Sequence, residues 1–593
     1  MTQTDLAIHS YGIAAGIDAR IAADPEGLFA VLPDGPMTRA GLDARARSTG
    51  RQLAELGARP GCRLALFTTV ESVALPALLA ALRAGMATIM GDADATPRGL
   101  RDVIEMTRPD FVIADRRLTD VPEIAANHPG LCLLRVDGDT LQPLTPAPCS
   151  IRPDGDPDTA LIIPTSGSTG QARAVMLGHR ALAAQFDVFA DAYGFNQQTR
   201  LSNVLRLHHV DGLIRGPLSA MWFGACVWRP FSFSIHASPA ILAALSSEAL
   251  THLITVPVML RILMRTATES RLSSSLRFIL CSADTLDPET WRAAEARFGV
   301  PVVNAYGLTE AVCDVVIAGP DAASRRPGTI GRAYGCTVRI LAGDGTEALP
   351  GMAGELTLAG PLLMQGYFDA PQATSAVLRE GWLHTGDLVR RRDDGLLEHA
   401  GRRKAVIIAA GVTIHPESIT ATLRAMPGLR DVHAFSLPDR AGEDRLALAV
   451  VPTPRDIPVT ARDVRGFCRA QLPADSQPAR VLIVDDIPRG ASGKVSAEAL
   501  AALVAASPEE ATEGQASGTP RERVISIAAS LFGMPAESLG PDSSPFTIPD
   551  WDSLAHMELI AAVEKAFAFT FTPEDVTMIA TLGDLIDITE RHA

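Results

Sequence analysis

The apolar run ALII, residues 160–163, passes through one proline into the glycine-rich stretch TSGSTGQARAV, residues 165–175. Glycines without side chains let backbone N–H groups approach a polyanion closely, hydroxyl side chains add donors, and Arg173 adds a fixed positive charge. The stretch therefore predicts a phosphate-binding loop that consists of Thr165, Ser166, Gly167, Ser168, Thr169 and Gly170. A structural Ser/Gly turn is the alternative. A Walker A loop is excluded, because GxxxxGK followed by Ser or Thr is absent.

Strand-like apolar runs alternate with helical patterns on both sides of this loop. The Ala- and Leu-rich stretch 74–84 is one such helical pattern. The clearest strand-like runs are residues 63–67, 110–114, 160–163, 252–256 and 278–281. Apolar strands that alternate with helices indicate sheets covered by helices, so residues 1–400 are predicted to form a large α/β domain.

The rest of the chain divides into three segments. Residues 401–505 combine strand-like runs with helical patterns and predict a small α+β subdomain. Residues 506–520 are small and polar without periodicity, which predicts a flexible linker. Residues 521–593 carry apolar residues at helical spacing and predict a compact bundle of the four-helix type.

Composition limits the classes of function. A length of 593 residues is too great for one core, and a net charge of −15 argues against a nucleic-acid binder, which usually carries a basic stripe. The eight cysteines form no CxxC or zinc-like spacing, the N-terminal residues lack the pattern of a signal peptide, and no apolar run is long enough to cross a bilayer. We therefore expect a cytoplasmic protein with neither nucleic acid nor membrane as a partner.

The glycine-rich stretch resembles the TSG[ST]TGxPKGV loop of the adenylate-forming superfamily, which includes acyl-CoA ligases, luciferase-like enzymes and the adenylation domains of peptide synthetases. Further motifs of that superfamily follow in its order, namely NAYGLTE at 304–310, GE at 354–355 with GY at 366–367, WLHTGDL at 382–388, GR at 401–402 and PRGASGK at 488–494. Ala172, Arg173 and Ala174 stand where the family usually has Pro, Lys and Gly. Six motifs in register over about 330 residues are not a chance match to separate turns.

The resemblance implies a nucleotide site. By the match of NAYGLTE, Tyr306 would stack on adenine, Thr309 would contact phosphate and Glu310 would hold Mg²⁺. Asp387 of the TGDL motif would bind the ribose hydroxyls, with Arg402 of the GR motif near the same sugar.

The implied reaction explains why charged groups are needed. A carboxylate must approach the α-phosphate of a tetra-anion before a mixed anhydride with AMP can form, and preorganised donors and cations lower that barrier most. Arg173 and the loop would hold the outgoing pyrophosphate, Mg²⁺ would neutralise the phosphates, and Lys494 would bridge the carboxylate and α-phosphate oxygens. In the family the small subdomain then swings about a hinge, here Lys404, and opens a tunnel past Gly411 for a thiol.

A second resemblance concerns the C-terminal bundle. PDWDSL, residues 549–554, opens a helix that continues AHMELIAAVEKAF. Asp552 and Ser553 suit a helix N-cap, which is the structural alternative. An acidic helical unit behind a linker, with DSL before its second long helix, resembles acyl and peptidyl carrier proteins. The resemblance implies that Ser553 carries 4′-phosphopantetheine, whose thiol the linker would supply at high effective concentration.

The acyl pocket is the least specific part of the pattern. HHVDGL, residues 208–213, lies where the family places its acyl-pocket helix, and Asp211 falls where amino-acid-activating relatives keep an aspartate for the α-ammonium group. Aspartate and arginine here could bind a polar or zwitterionic substrate, or could pair with each other. Their charge argues against a long fatty acid, which needs an apolar channel. The predicted pocket residues are His209, Asp211, Arg215, Ala305, Cys313 and Asp314.

The main hypothesis is an ATP-dependent ligase that activates a small carboxylic acid, with amino acids among the candidates, and loads it onto its own carrier in secondary-metabolite biosynthesis. It implies ATP, Mg²⁺ and 4′-phosphopantetheine as cofactors. It also implies a phosphopantetheinyl transferase and a downstream acceptor enzyme as partners. One alternative is an acyl-CoA ligase that uses free CoA. Another is a non-enzymatic carrier or scaffold with a decayed adenylation fold, against which the joint presence of Glu310, Asp387 and Lys494 argues.

Overall fold

The computed structural model describes most of the chain. The described residues are 3–92, 97–115, 130–138, 140–145, 155–165, 173–267, 272, 274–284, 286–402, 407–409, 412–414, 416–438, 444–453, 459–473, 476–484, 487, 500, 504, 519–532, 534, 536–545, 547–548, 551, 553–567 and 569–592. Several predicted site residues lie outside this part of the chain: Ser166, Gly167, Ser168, Thr169, Gly170, Lys404, Gly411, Lys494 and Asp552.

The described strands, in chain order, are β1 (Leu28–Leu32), β2 (Gly35–Thr38), β3 (Arg63–Phe67), β4 (Ala87–Met90), β5 (Phe111–Ala114), β6 (Cys132–Asp137), β7 (Thr140–Pro143), β8 (Thr159–Thr165), β9 (Arg173–Gly178), β10 (Arg200–Ser202), β11 (Cys226–Trp228), β12 (His252–Thr255), β13 (Phe278–Cys281), β14 (Val302–Gly307), β15 (Asp314–Ala318), β16 (Arg332–Ala333), β17 (Thr337–Leu341), β18 (Ala353–Ala359), β19 (Gly366–Tyr367), β20 (Leu378–Arg379), β21 (Trp382–Arg391), β22 (Leu397–Arg402), β23 (Ile407–Ala409), β24 (Val412–Ile414), β25 (Leu429–Pro438), β26 (Asp444–Pro452) and β27 (Arg480–Ile483).

The described helices are α1 (Gln3–Ala23), α2 (Arg39–Glu55), α3 (Glu71–Arg83), α4 (Pro97–Thr107), α5 (His179–Tyr193), α6 (Val210–Leu213), a π-helical segment (Ile214–Leu218), α7 (Ser219–Phe223), α8 (Ser238–Ser247), α9 (Pro257–Thr266), α10 (Pro288–Phe298), α11 (Pro371–Val377), α12 (Pro416–Leu423), α13 (Ala461–Gln471), α14 (Pro520–Phe532), α15 (Ser553–Phe567), α16 (Pro573–Met578) and α17 (Leu582–His592). Short 3₁₀ turns occur at Thr309–Ala311 and Ala536–Ser538. Within the described residues, no helix combines the length and the apolar character needed to span a bilayer.

Two large sheets and one smaller sheet form the first part of the chain. The larger sheet has the strand order β16-β15-β14-β13-β12-β10-β11-β1-β2, and the second has the order β19-β9-β8-β4-β3-β5-β6-β7. In both sheets the inner strands are parallel, whereas strands nearer the edges, such as β2, β7, β9 and β15, pair antiparallel. Strands β3, β4 and β5 are buried along their whole length, as expected for parallel strands covered by helices on both faces.

The larger sheet determines where the pocket lies. Strands β10, β12, β13 and β14 run parallel, so their carboxyl ends meet at one edge of the sheet. In open α/β sheets, ligands bind in the crevice beyond that edge. Here the edge is followed by three segments, namely the residues that lead to α6, Ser282 after β13, and the Thr309–Ala311 turn after β14.

The last part of the chain contains two further units. Strands β25, β26 and β27 form a small sheet, covered by α12 and α13 around a core that includes Leu423, Val450 and Val464. Helices α14 to α17 form a bundle whose core includes Val524 and Ile560.

The predicted fold class, an α/β chain with a small α+β unit and a helical carrier-type bundle, is confirmed. Single elements agree closely as well. The runs at 63–67 and 278–281 are β3 and β13 without a shift of either end. The proposed domain boundaries remain predictions.

Candidate active site

Tyr306 and Asp387 come together from two different sheets. Tyr306 lies near the carboxyl end of β14, and its hydroxyl donates a 2.6 Å hydrogen bond to Asp387 Oδ2 on β21. Asp387 is buried, and it pairs across the β21–β22 ladder with the backbone of Arg402. His399 Nε2 lies 3.8 Å from Asp387 Oδ1. Three of the residues predicted to contact the nucleoside are therefore neighbours.

A second cluster links Arg173, Tyr367 and Glu310. The Tyr367 hydroxyl donates a 2.8 Å hydrogen bond to Glu310 Oε1, and the Arg173 guanidinium lies 4.9 Å from the centre of the tyrosine ring. Burial, together with the negative charge of Glu310, raises the pKa of Tyr367, so the phenol stays protonated and can donate. The tyrosine thus connects the cation expected to hold pyrophosphate with the carboxylate expected to hold Mg²⁺.

The turn after β14 is held in an unusual conformation. A side chain at Gly307 would place its Cβ 1.5 Å from the carbonyl oxygen of Cys313, so only glycine fits there. Val312 has φ 68°, a value that β-branched residues rarely adopt. The backbone between these two positions carries Thr309 and Glu310, so the tight turn fixes where both side chains begin.

Thr165 and Arg173 close the base of the predicted phosphate loop. They are register partners in the β8–β9 ladder, and Thr165 Oγ1 donates a 3.2 Å hydrogen bond to the backbone carbonyl of Arg173. The two ends of the loop are therefore joined, although the residues between them lie outside the described part of the chain.

The donor set around Glu310 suits a magnesium ion that is held mainly by a nucleotide. Mg²⁺ is usually bound by one or two carboxylates together with substrate phosphates and water. No group of three or more His, Cys, Asp or Glu within the described residues could hold a metal ion alone. Glu310 is half-buried and is linked to Arg173 through Tyr367, and it fits the role of a single protein ligand.

The predicted acyl-pocket charges pair with each other. Arg215 lies in the π-helical segment Ile214–Leu218 and is 1% exposed. Its guanidinium donates to Asp314 through two nitrogens, one of them Nε at 2.8 Å from Oδ2, and pairs with Asp211 Oδ1 at 2.5 Å. The Ser282 hydroxyl also accepts from Arg215, and Tyr193 donates to Asp314 at 2.7 Å. Of the two possibilities left open by the sequence, the ion pair is present.

The ion cluster carries one excess negative charge, because two carboxylates surround one guanidinium. Burial disfavours the charged form of Arg215, but Asp211 and Asp314 hold its pKa above the usual value. Asp314 is fully buried, whereas the side chain of Asp211 keeps 18% of its surface exposed. Asp211 is therefore the member of the cluster that a ligand can reach.

Cys313 and Ala305 line the same region. Both are buried in the main core, and the Cys313 thiol lies 3.9 Å from Asp211 Oδ1. Burial raises the pKa of Cys313, so the thiol is neutral and is a weak donor towards that carboxylate.

The two histidines before α6 have different surroundings. His208 Nδ1 lies 3.4 Å from Asp92 Oδ1, and burial, with the neighbouring His209, lowers the pKa of His208 to about 2. His208 is thus neutral at physiological pH. His209 is half-buried at the residue before α6, with its ring centre 4.2 Å from that of His208.

Sequence reasoning assigned no role to four residues of these clusters, namely Tyr367, Ser282, Tyr193 and His399. Tyr367 belongs to a quoted motif but received no role. Ser282 directly follows a correctly predicted strand, so its position at the carboxyl edge was the available signal. Tyr193 is the last residue of α5, and no local pattern marks it as a partner of Asp314, which is 121 positions away in the sequence.

The adenylate-forming fold, joined in one chain to a carrier-type bundle, defines an acid-activating ligase. The chain belongs to the AMP-binding enzyme family, whose model matches residues 18–368. The model of the AMP-binding enzyme C-terminal domain matches residues 418–494, and that of the phosphopantetheine attachment site matches residues 522–588. Enzymes of this family form an acyl-adenylate and then a thioester. They use ATP, typically with Mg²⁺, and the attachment domain carries 4′-phosphopantetheine.

Similar proteins include CoA ligases and a carrier-protein ligase. The chain is 30% identical to sulfoacetate–CoA ligase of Cupriavidus necator over 82% of this chain and 96% of that protein. It is 29% identical to the fatty acid–[acyl-carrier-protein] ligase MmaC of Mycobacterium marinum, over 72% of this chain and 85% of that protein. The ATP-bound crystal structure of MatB from Rhodopseudomonas palustris superposes with a TM-score of 0.60 at 25% identity, covering 83% and 98% of the two chains.

Proposed function

We propose that this chain activates a small polar carboxylic acid with ATP and transfers the acyl group to the phosphopantetheine thiol on Ser553 of its own carrier bundle. The observation that carries the proposal is the joint presence, in one chain, of both parts of an AMP-binding enzyme and a phosphopantetheine attachment domain. A separate acceptor is then unnecessary for the first thioester, because a tethered thiol has a high effective concentration.

The first step joins the acid to AMP. A carboxylate oxygen attacks the α-phosphorus of ATP, and the bond to pyrophosphate breaks. In this proposal Arg173 stabilises the charge that develops on pyrophosphate, and Lys494 contacts the reacting oxygens. A Mg²⁺ ion on Glu310 would supply charge neutralisation at the phosphates.

The nucleoside would be held by Tyr306, Asp387 and Arg402. The buried carboxylate of Asp387, already fixed by the Tyr306 hydroxyl, is a preorganised acceptor for the ribose hydroxyls. Thr309, in the strained turn after β14, would contact phosphate.

In the second step the carrier thiol attacks the acyl carbon, AMP departs, and a thioester forms. The pantetheine group on Ser553 supplies that thiol. The chain's own contribution is placement, because α15 begins at Ser553 and so presents the attachment residue at a helix start. The proposed hinge at Lys404 would let the small subdomain leave after adenylation.

The ion cluster supports a substrate that carries an ammonium or another donor group. Several relatives are named for acids with a second acidic group, such as sulfoacetate and oxalate. In this chain Arg215 is already paired with two carboxylates, and the reachable member is the acidic Asp211. A cationic or donor group near Asp211 would offset the excess negative charge, whereas a second carboxylate would meet repulsion. Amino acids are therefore the preferred candidates.

Free CoA is the second candidate acceptor, because the 30% identical relative from Cupriavidus necator is a CoA ligase. We also propose a cytoplasmic role in secondary-metabolite biosynthesis, with a phosphopantetheinyl transferase and a downstream enzyme as partners. Support for a reducing compartment comes from the described cysteines, which are free thiols: Cys62, Cys132, Cys226, Cys281, Cys313, Cys336 and Cys468.

The test is intact-mass spectrometry of the phosphopantetheinylated protein after incubation with ATP, Mg²⁺ and a panel of amino, hydroxy and dicarboxylic acids. We expect an ATP-dependent acyl adduct that is absent in Ser553→Ala and in Lys494→Ala. Ser553→Ala should still release pyrophosphate, which separates loading from adenylation. Acyl-CoA formation by Ser553→Ala as fast as loading in the unsubstituted protein would instead favour the free-CoA reaction.

A further inference from the structure

The carrier bundle rests on a defined surface of the larger sheet's domain. We name this the docking surface, and it consists of Phe233, Ile235, His236, Val258, Ile262 and Arg265. Ile235 and Ile262 are 1% and 4% exposed, and both belong to the same apolar cluster as the core of α14 to α17. The contact is therefore continuous with the carrier's own core.

One ion pair and one ring contact flank the apolar centre. Arg265, in the last turn of α9, pairs with Glu564 of α15, whose Oε1 also accepts a 3.0 Å hydrogen bond from the backbone of Phe571. The His236 ring lies 5.4 Å, centre to centre, from the ring of His556, which is held by a 3.0 Å bond from Trp551 Nε1. The surface and this carrier are thus joined by an apolar centre, an ion pair and a ring contact.

The docking surface lies on segments that flank the segment leading to Asp211 and Arg215 in the larger sheet. Its residues follow the carboxyl ends of β11 and β12. Three of the predicted pocket residues, His209, Asp211 and Arg215, follow β10, which lies between β11 and β12 in the sheet. The Arg229 guanidinium donates hydrogen bonds of 3.0 and 3.1 Å to the backbone carbonyls of Asn203 and Leu205. Asn203 in turn donates to the Asp211 carbonyl at 2.9 Å. A short chain of contacts therefore joins the segment that holds the carrier to the segment that forms the pocket.

The attachment residue is close to this contact. His556, which faces His236, follows Ser553 by three residues in α15, about one helical turn or about 5 Å along the axis. A carrier held by α15 and α16 against α9 and His236 therefore keeps the start of α15 beside the segment that follows β11.

We propose that the docking surface is the recognition site for this chain's own carrier during thiol transfer, with Arg265 and Glu564 as its charge-specific anchor. The inference rests on the proposed function, because it concerns the transfer step. The occupant is residues 519–592 of the same chain. A carrier without an acidic residue at the position of Glu564 would leave Arg265 without this partner and would be loaded more slowly.

The test is a charge-reversal cycle in the full phosphopantetheinylated chain. We expect Arg265→Glu to slow acyl transfer by roughly tenfold in single-turnover mass spectrometry, and Arg265→Glu with Glu564→Arg to recover most of the rate. ATP–pyrophosphate exchange should be unchanged in both. Arg292→Glu, the same charge change at an exposed position of α10, is the matched control.

Two outcomes would overturn the inference while leaving the proposed function in place. One is loading by Arg265→Glu at the unsubstituted rate, and the other is a double variant no faster than the single one. If the unsubstituted chain shows no loading, the proposed function fails, and hydrogen exchange of α9 then decides the surface separately. Protection of α9 lost in Arg265→Glu and restored in the double variant supports the docking surface, whereas equal exchange in all three proteins rejects it.

Discussion

The hydroxyl of Tyr367 donates to Glu310 across 2.8 Å while its ring lies beneath the guanidinium of Arg173. One phenol thus orients the carboxylate proposed for Mg²⁺ and packs against the cation proposed for pyrophosphate. The pairing depends on the β9–β19 ladder, in which Tyr367 is the register partner of Val175. The strand that leaves the phosphate loop is therefore also the strand that positions this tyrosine.

The first prediction concerns that hydroxyl. Tyr367→Phe keeps the ring beside Arg173 but leaves Glu310 without one donor, so we expect pyrophosphate exchange to fall by about tenfold, or roughly 1.4 kcal/mol, with a higher Mg²⁺ requirement. The measurement is the rate of ATP–pyrophosphate exchange as a function of Mg²⁺ concentration. Tyr334→Phe, which removes a hydroxyl bonded to exposed Arg332, should change neither quantity. If the exchange rate of Tyr367→Phe depends on Mg²⁺ concentration as it does in the unsubstituted protein, the proposed role of Glu310 as a Mg²⁺ ligand is contradicted.

The second prediction concerns the nucleoside cluster. Asp387→Asn removes the buried charge that accepts from Tyr306, and we expect the KM for ATP to rise by roughly tenfold or more while the KM for the acid stays the same. Steady-state exchange kinetics with each substrate varied give both constants. Asp394→Asn, at an exposed turn beside Arg392, is the control. A change only in the KM for the acid would contradict the role of Asp387 in binding the nucleoside.

The third prediction separates the two aspartates of the ion cluster. Asp211→Asn leaves the Arg215–Asp314 pair intact, so we expect nearly unchanged thermal stability but a KM for the preferred amino acid raised by about tenfold. Asp314→Asn disrupts the fully buried pair, so we expect a loss of about 3 kcal/mol of stability. Thermal scans and exchange kinetics on both variants provide the comparison. Equal stability losses in the two variants would argue that Asp211 is only structural.

The fourth prediction concerns pH and the carrier bundle. Burial, with the nearby His236, lowers the pKa of His556 to about 4, below its ordinary value of 6.5. Between those pH values the unfolded bundle binds a proton that the folded bundle does not. Stability is therefore fully present above pH 6.5 and falls by up to about 1.4 kcal/mol per pH unit as the pH drops towards 4. Hydrogen exchange of the α15 amides at pH 7 and pH 5 measures this loss of stability. The observed rates are first corrected for the intrinsic exchange rate at each pH, which gives the free energy of opening. His556→Gln should weaken the dependence, and an equal slope in that variant would assign it to other groups.

The sequence predicted the architecture because apolar runs and helical spacing are local signals. Strands β3 and β13 and the helix that starts at Ser553 were read from fewer than fifteen residues each. The residues proposed to bind the nucleoside were predicted from motif resemblance. Tyr306 and Asp387 lie on strands of two different sheets, and no local sequence pattern predicts that these sheets come together. The role of Tyr193 was not predicted, because its partner, Asp314, becomes a neighbour only when α5 packs against β15. The choice between substrate binding and ion pairing at Arg215 also depended on distances between segments far apart in the chain.

The Asp211–Arg215–Asp314 cluster has a consequence for how such an enzyme can diverge. Replacing Arg215 alone would strand two carboxylates, one of them fully buried, and the protein would lose stability before it could acquire a new substrate. Neutralising Asp314 first would make a later change at Arg215 tolerable, so the order of mutations matters. Substrate preference in this lineage is thus expected to change through coupled substitutions, with epistasis restricting which ancestors can give rise to which specificities.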